Sequence, residues 1–197
     1  PLIVRADGGT VSDSARGPAL SVVIATRARE ASLIETLRLL GNHDGTSAVE
    51  VVVIDNDPAG SLTGSVFPSA GLERIRLLSE PRPGKAAALN RAFASGGLAP
   101  LVAILDDDMT PAANWCSDVV RSAARRPTFD IFAGRSHAIW PDDVQPPRWM
   151  DDGLARGIAC SVIDLGPDGD REMGVGGVLG FPSGNHFWFR RTVLTST

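Results

Sequence analysis

Four short strand-like segments, three of them apolar runs, set the rhythm of the first two thirds of the chain. They are Ala19 to Ala25 (ALSVVIA), Val49 to Ile54 (VEVVVI), Arg74 to Leu78 (RIRLL) and Leu101 to Leu105 (LVAIL). Short continuous runs rich in β-branched residues suit strands buried on both faces of a parallel sheet. Between them the period changes. Glu30 to Leu40 places apolar residues at 33, 34, 37 and 40, one face of a helix, and Gly41 and Asn42 stop it. Lys85 to Ser95 (KAAALNRAFAS) predicts a second helix ended by Gly96 and Gly97, and Ala112 to Arg126 a third closed by Pro127. Residues 1–18 carry no such pattern and read as an irregular lead-in.

This order predicts an α/β fold: an open, mostly parallel, Rossmann-like sheet with helices on both faces. In such sheets ligands sit outside the carboxyl ends of the strands. The polar residues that end the strands, Thr26, Asp55 and Asp106 to Asp108, fall on that edge. From about Phe129 the rhythm is lost. Phe129 to Ala133 and Gly157 to Leu165 read as strands around a Pro-, Trp- and Asp-rich loop, Trp140 to Asp152, and a Gly-rich stretch, Gly174 to Gly184, runs into NHFWFRR. The expected division is an α/β region over 19–128 and a smaller lobe of the same domain over 129–197.

Composition narrows the function. The 197 residues carry 19 Lys and Arg against 23 Asp and Glu, a net charge of −4, which lacks the basic footprint of a nucleic-acid binder. Residues 1–100 hold ten acidic and ten basic side chains, so the whole excess of negative charge lies from Leu101 onward. No apolar run reaches the ~18–20 residues of a membrane helix. Cys116 and Cys160 form no CxxC pair and read as ordinary buried thiols, and His137 and His186, lacking partner motifs, read as structural.

LVAILDDDMTP, Leu101 to Pro111, carries the strongest chemical signal. Side chains alternate along an extended chain, so Asp106 and Asp108 point one way and Asp107 the other. Like charges this close repel unless a cation is shared, and Mg²⁺ or Mn²⁺ suits them, with substrate phosphate and water completing the shell. An acidic helix cap is the simpler alternative. Asp55 suits a hydrogen bond from a nucleoside base or ribose, and equally an Asx turn with Asn56 and Asp57. Arg82 and Lys85, the only lysine, flank a helix start that favours phosphate or forms a solvated cap. It is no Walker A loop, because Ser79 and Ala86 stand where Gly and Ser or Thr are required. Gly177 to Arg191 offers close backbone approach and aromatic faces for a sugar, or a buried strand after a turn.

Taken in order, SVVIATRARE, VVVIDNDPAG, EPRPGKAAALNRAFA, VAILDDDMTP and SGNHFWFRR make the chain resemble family 2 glycosyltransferases of the GT-A fold from about Ala19 to Arg191. The resemblance implies transfer of a sugar from a nucleoside-diphosphate donor to an acceptor hydroxyl, metal-assisted and inverting, in cell-envelope or polysaccharide synthesis. It implies Thr26, Asp55, Lys85, Asp106 and Asp107 as donor-binding residues. Asp106 and Asp108 become the metal ligands of a DxD motif for Mn²⁺ or Mg²⁺. Gly184 and Asn185 fall on the acceptor side, where a carbohydrate or lipid-linked acceptor is expected. Nucleic acid is not an expected partner. The implied location is the cytoplasm or the inner face of the membrane, with any membrane helix in regions outside this sequence. Two departures stand out. Ala25-Thr26-Arg27-Ala28 replaces the Pro-Thr-Tyr-Asn common in relatives, and the family's catalytic carboxylate falls beyond Thr197, so a base is expected only past the end of this sequence.

Two other readings compete. DDDMT also satisfies the DxDxT of haloacid-dehalogenase-like phosphatases, with Asp106 as nucleophile and Asp108 as acid/base. That motif belongs on a first strand and needs a downstream cation, whereas three strands precede it here and no lysine follows Lys85. A non-catalytic nucleotide-sugar-binding fragment shares every donor-side feature and differs only in lacking a base.

Overall fold

The computed structural model describes residues 3–5, 17–42, 48–64, 67, 71–151 and 184–195. Its strands are β1 (Ile3–Arg5), β2 (Leu20–Thr26), β3 (Val49–Asp55), β4 (Arg74–Ser79), β5 (Leu101–Leu105), β6 (Ile131–Ala133) and β7 (His186–Arg190). The helices are α1 (Glu30–Gly41), α2 (Lys85–Ala94) and α3 (Trp115–Arg125), with 3-10 turns at Arg148–Asp151 and Arg191–Thr195. The strand order is β1-β4-β3-β2-β5-β7-β6, and β1–β4, β4–β3, β3–β2 and β2–β5 all pair in parallel. The open, mostly parallel α/β sheet expected from the sequence is therefore what forms.

The apolar runs are buried as read. Val22 to Ile24, Val51 to Ile54 and Val102 to Ile104 are fully enclosed. Burying each such side chain contributes about 1.5–3 kcal/mol before entropy is counted. Leu33, Leu37 and Leu40 of α1 are enclosed as well, as the helical spacing requires. α2 packs over β2, β3 and β4 through Ala88 and Ala92, whose small side chains bring the helix close to the sheet.

Three readings need correction. The lead-in is not wholly irregular, because Ile3 to Arg5 pair in parallel with Arg74 to Arg76. The unpaired backbone groups of β4 offer a ladder that a three-residue segment takes up. The third helix starts at Trp115 rather than Ala112, because residues 112–114 form a turn in which the Trp115 N–H donates to the Ala112 carbonyl at 2.8 Å. The strand at Phe129 narrows to Ile131–Ala133. The strand read at Gly157 to Leu165, Cys160, and the Gly-rich stretch before Gly184 lie outside the described residues.

Contacts divide the chain into two compact units, 1–131 with 188–197, and 132–187. In the first, Phe93 and Phe189 meet edge to face at 5.9 Å. Arg190 donates to the carbonyls of Ala123, Arg126 and Phe129, satisfying the carboxyl end of α3 with a cation where the helix dipole favours one. In the second, Met150 is buried, and the Gly134 N–H donates to the His186 carbonyl at 3.4 Å. The imidazole of His186 fills the space where a side chain on Gly134 would stand. Burial holds His186 below its ordinary pKa, against a backbone hydrogen bond at Arg135 that raises it. Among the described residues no helix is long and apolar enough to cross a membrane.

Candidate functional site

The chain runs outward from β2 through β3 to β4 and then returns to place β5 on the other side of β2. Strand order reverses there, and the crevice outside the carboxyl ends of two such strands is where open α/β sheets hold ligands. Register decides which residues line it. Thr26 pairs with Asp55, and Asp55 with Ser79. The β2–β5 ladder pairs Val23 with Ile104. The same offset carried forward sets Thr26 against Asp107, and the Thr26 hydroxyl donates to the Asp107 carboxylate at 2.6 Å. Ser79, Asp55, Thr26 and Asp107 thus form a row across four strand ends.

Burial alternates through the acidic triplet. The Asp107 side chain is 7% exposed, Asp106 32% and Asp108 54%, so the outer two remain open to a ligand while the middle one is built into the wall. α1 anchors this turn. The Thr36 hydroxyl lies 3.1 Å from the Asp107 carbonyl and 2.9 Å from that of Met109. Arg29, immediately ahead of α1, donates to Asp107 at 3.3 Å and Asp108 at 3.1 Å. Its guanidinium is held above its ordinary pKa, first by the hydrogen bond to Asp107 and then by the charges of Asp107 and Asp108. Lys85, the first residue of α2, pairs with Asp106.

Asp55 is buried, and both its oxygens accept from backbone, the Asp57 N–H at 3.0 Å and the Leu62 N–H at 3.0 Å. The Asp57 bond is the Asx turn anticipated from DND. A carboxylate has about four lone-pair sites, so these two bonds leave acceptor capacity. The neighbouring Asn56 does more than its turn position suggests. Its side-chain amide donates to the carbonyls of Glu80 at 2.8 Å and Arg82 at 2.7 Å and accepts from the Gly84 N–H at 2.8 Å. It thereby ties the end of β3 to the loop that launches α2. Gly84 caps that helix at φ 122°, a backbone angle that side chains resist, so glycine is required at this turn.

Arg82, which the sequence leaves between a phosphate contact and a solvated cap, pairs with Glu80. Its side chain forks onto both Glu80 oxygens at 2.9 and 2.8 Å, and its N–H donates to one of them. These bonds hold the Glu80 carboxyl down at about 2. Gly184 and Asn185 belong to the second unit, in the turn that leads into β7.

Arg29, Thr36, Asn56 and Glu80 were not singled out by sequence. Arg29 did leave a signal. A cation just ahead of a helix opposes the helix dipole unless an anion waits for it, and Lys85 repeats the pattern at α2. Among the described residues no group of three or more His, Cys, Asp or Glu side chains converges on a metal position.

A parallel α/β sheet with carboxylates on the carboxyl edge at its switch point defines an open α/β fold of the kind that holds ligands at that edge. Within it, the chain belongs to glycosyl transferase family 2, whose model matches residues 21–196. No curated protein sequence matches it significantly. Among solved structures, S. aureus TarS 1–349 is 16% identical with a TM-score of 0.61, over 89% of this chain and 48% of that one. The same protein in complex with UDP is 17% identical with a TM-score of 0.51, over 66% of this chain and 38% of that one. A Pyrobaculum calidifontis mannosyltransferase, solved with GDP-Man and Mn²⁺, is 23% identical over 62% of this chain and 37% of that one, with a TM-score of 0.47. The two TarS likenesses establish the GT-A fold. The chain spans less than half the length of each of these proteins. Membership of this family does not favour the phosphatase reading of DDDMT.

Proposed function

We propose that this crevice binds a nucleoside-diphosphate sugar and that the protein transfers the sugar to the hydroxyl of a carbohydrate or lipid-linked acceptor, with inversion. The observation that carries the reading is the row Asp55–Thr26–Asp107 at the switch point, flanked by the more open Asp106 and Asp108. The expected setting is the cytoplasm or the inner face of the membrane.

The donor set fits a hard divalent ion. Asp106 and Asp108 offer oxygen ligands only, and two carboxylates suffice where phosphate and water complete the shell. These two residues would hold Mn²⁺ or Mg²⁺, which when bound supplies Lewis-acid stabilisation of charge on the leaving diphosphate. The protein's own groups do the rest. Thr26 and Thr36 fix the acidic turn, Asp55 accepts from the nucleoside, and Lys85 supplies a positive charge beside the helix start for the diphosphate. The bond from the anomeric carbon to the phosphate oxygen breaks, its electron pair leaves with the diphosphate, and the acceptor oxygen bonds from the opposite face. Gly184 and Asn185 are the residues proposed for the acceptor side. The acceptor proton passes to a base that we do not assign among the described residues.

Calorimetry with UDP, GDP and dTDP, with and without Mn²⁺, tests this. At least one nucleotide should bind more tightly with the metal, and Asp108→Ala should remove the difference. Equal affinity in both conditions for every nucleotide sinks the metal-assisted reading.

A further inference from the structure

Both carboxylates proposed for the metal already have cationic partners. Asp106 is paired with Lys85 at the start of α2, and Asp108 with Arg29 at the start of α1, while Arg29 also reaches Asp107. Three carboxylates therefore meet two side-chain cations from two helices. A divalent ion brings the same charge as those two side chains together. Beside Asp106 and Asp108 the ion and these two cations repel one another, so each weakens the other's hold on the carboxylates.

We infer that Arg29 is a tethered counter-ion of the acidic turn, which holds Asp108 when no divalent ion is bound and turns to the diphosphate when one is. The inference rests on the reading of the crevice as a metal-assisted diphosphate site. Its geometry suits the exchange. The Arg29 side chain is 58% exposed and its Asp108 partner 54%, so the pair separates without opening the core. Exposed pairs of this kind are weak, which lets a divalent ion displace them. Asp107 stays behind as a buried, Thr26-bonded anchor at which the guanidinium pivots. Arg29 thus has two roles, counter-ion to Asp108 and ligand to the diphosphate.

The two roles predict opposite effects of one substitution. In Arg29→Met, Mn²⁺ alone, followed by the electron-spin signal of the free ion, should bind about two- to fivefold tighter, because its competitor at Asp108 is gone. Pyrophosphate added at saturating Mn²⁺ should bind about tenfold or more weaker, because a charge-assisted hydrogen bond is lost. Arg29→Gln serves as a second variant should the Met variant not fold. A merely structural Arg29 weakens both ligands together, and that result overturns the inference, as does unchanged Mn²⁺ affinity. Mn²⁺ that fails to bind the unaltered protein, with or without pyrophosphate, overturns instead the metal-assisted reading beneath it.

Discussion

Replacing Asn56 with Ala should destabilise the protein more than any other single change in the turn after β3. The side chain is buried and makes three hydrogen bonds, at 2.8, 2.7 and 2.8 Å, to Glu80, Arg82 and Gly84. A net value of about 1 kcal/mol for each gives an upper figure of about 3 kcal/mol. Arg82 and Gly84 are exposed, so water takes over part of what they lose, whereas Glu80 is buried and its carbonyl has less recourse. The expected loss is therefore about 2–3 kcal/mol, or roughly 4–12 °C in Tm for a chain of this size. Asn56→Asp sharpens the test. It keeps an acceptor for the Gly84 N–H but sets a carboxylate against two carbonyl oxygens, and should cost at least as much. Asp57→Ala is the control, since it removes one exposed bond, to the Ala59 N–H at 3.1 Å, and should cost under about 1 kcal/mol. Urea unfolding followed by tryptophan fluorescence measures all three. If Asn56→Ala and Asp57→Ala unfold at the same urea concentration, Asn56 is not the tie between β3 and α2.

Three further outcomes follow from local features. Ala28 sits at φ 52°, where a side chain is strained and Asn is better tolerated, so Ala28→Asn should raise stability by about 0.5–1 kcal/mol; a lower Tm contradicts that strain. Gly134→Ala should cost about 1–3 kcal/mol by overlapping His186, and much less in a His186→Ala background; equal costs in the two backgrounds refute the contact. Acid should act in two windows. His186 is held below 6.5, so the unfolded chain takes up its proton first and stability falls as pH drops below about 6.5. Glu80 is held at about 2 against 4.5, so its contribution is complete above 4.5 and is lost as pH falls toward 2. Urea midpoints across pH should lose the upper slope in His186→Gln and the lower one in Glu80→Gln.

The sheet was legible because a strand buried on both faces must be mostly apolar, and LSVVIA, VVVI and LVAIL stand out from their surroundings in that respect. The carboxyl edge was legible for the same reason, since Thr26, Asp55 and the Asp triplet are the first polar residues after buried runs. What escaped was the pairing among them. Thr26 and Asp107 lie 81 residues apart, and Arg29 and Asp108 79, and no local pattern encodes a contact over such a separation. The pairing of Arg82 with Glu80 escaped because Glu80 reads in sequence as one more surface acid. Asn56 was absorbed into an Asx turn because turn formers and long-range ties are the same residue type. β1 was missed because three residues carry too little periodicity to count.

The row of strand ends makes the crevice a matter of counting. Thr26, Asp55 and Asp107 meet only because β2, β3 and β5 deliver them after matching numbers of residues. Deleting one residue inside β2 would draw Thr26 back by about 3.3 Å and send its hydroxyl to the opposite face. The Asp107 carboxylate would then lose its closest donor. Selection on length in these strands is therefore selection on the crevice, and indels here should be rarer than substitutions.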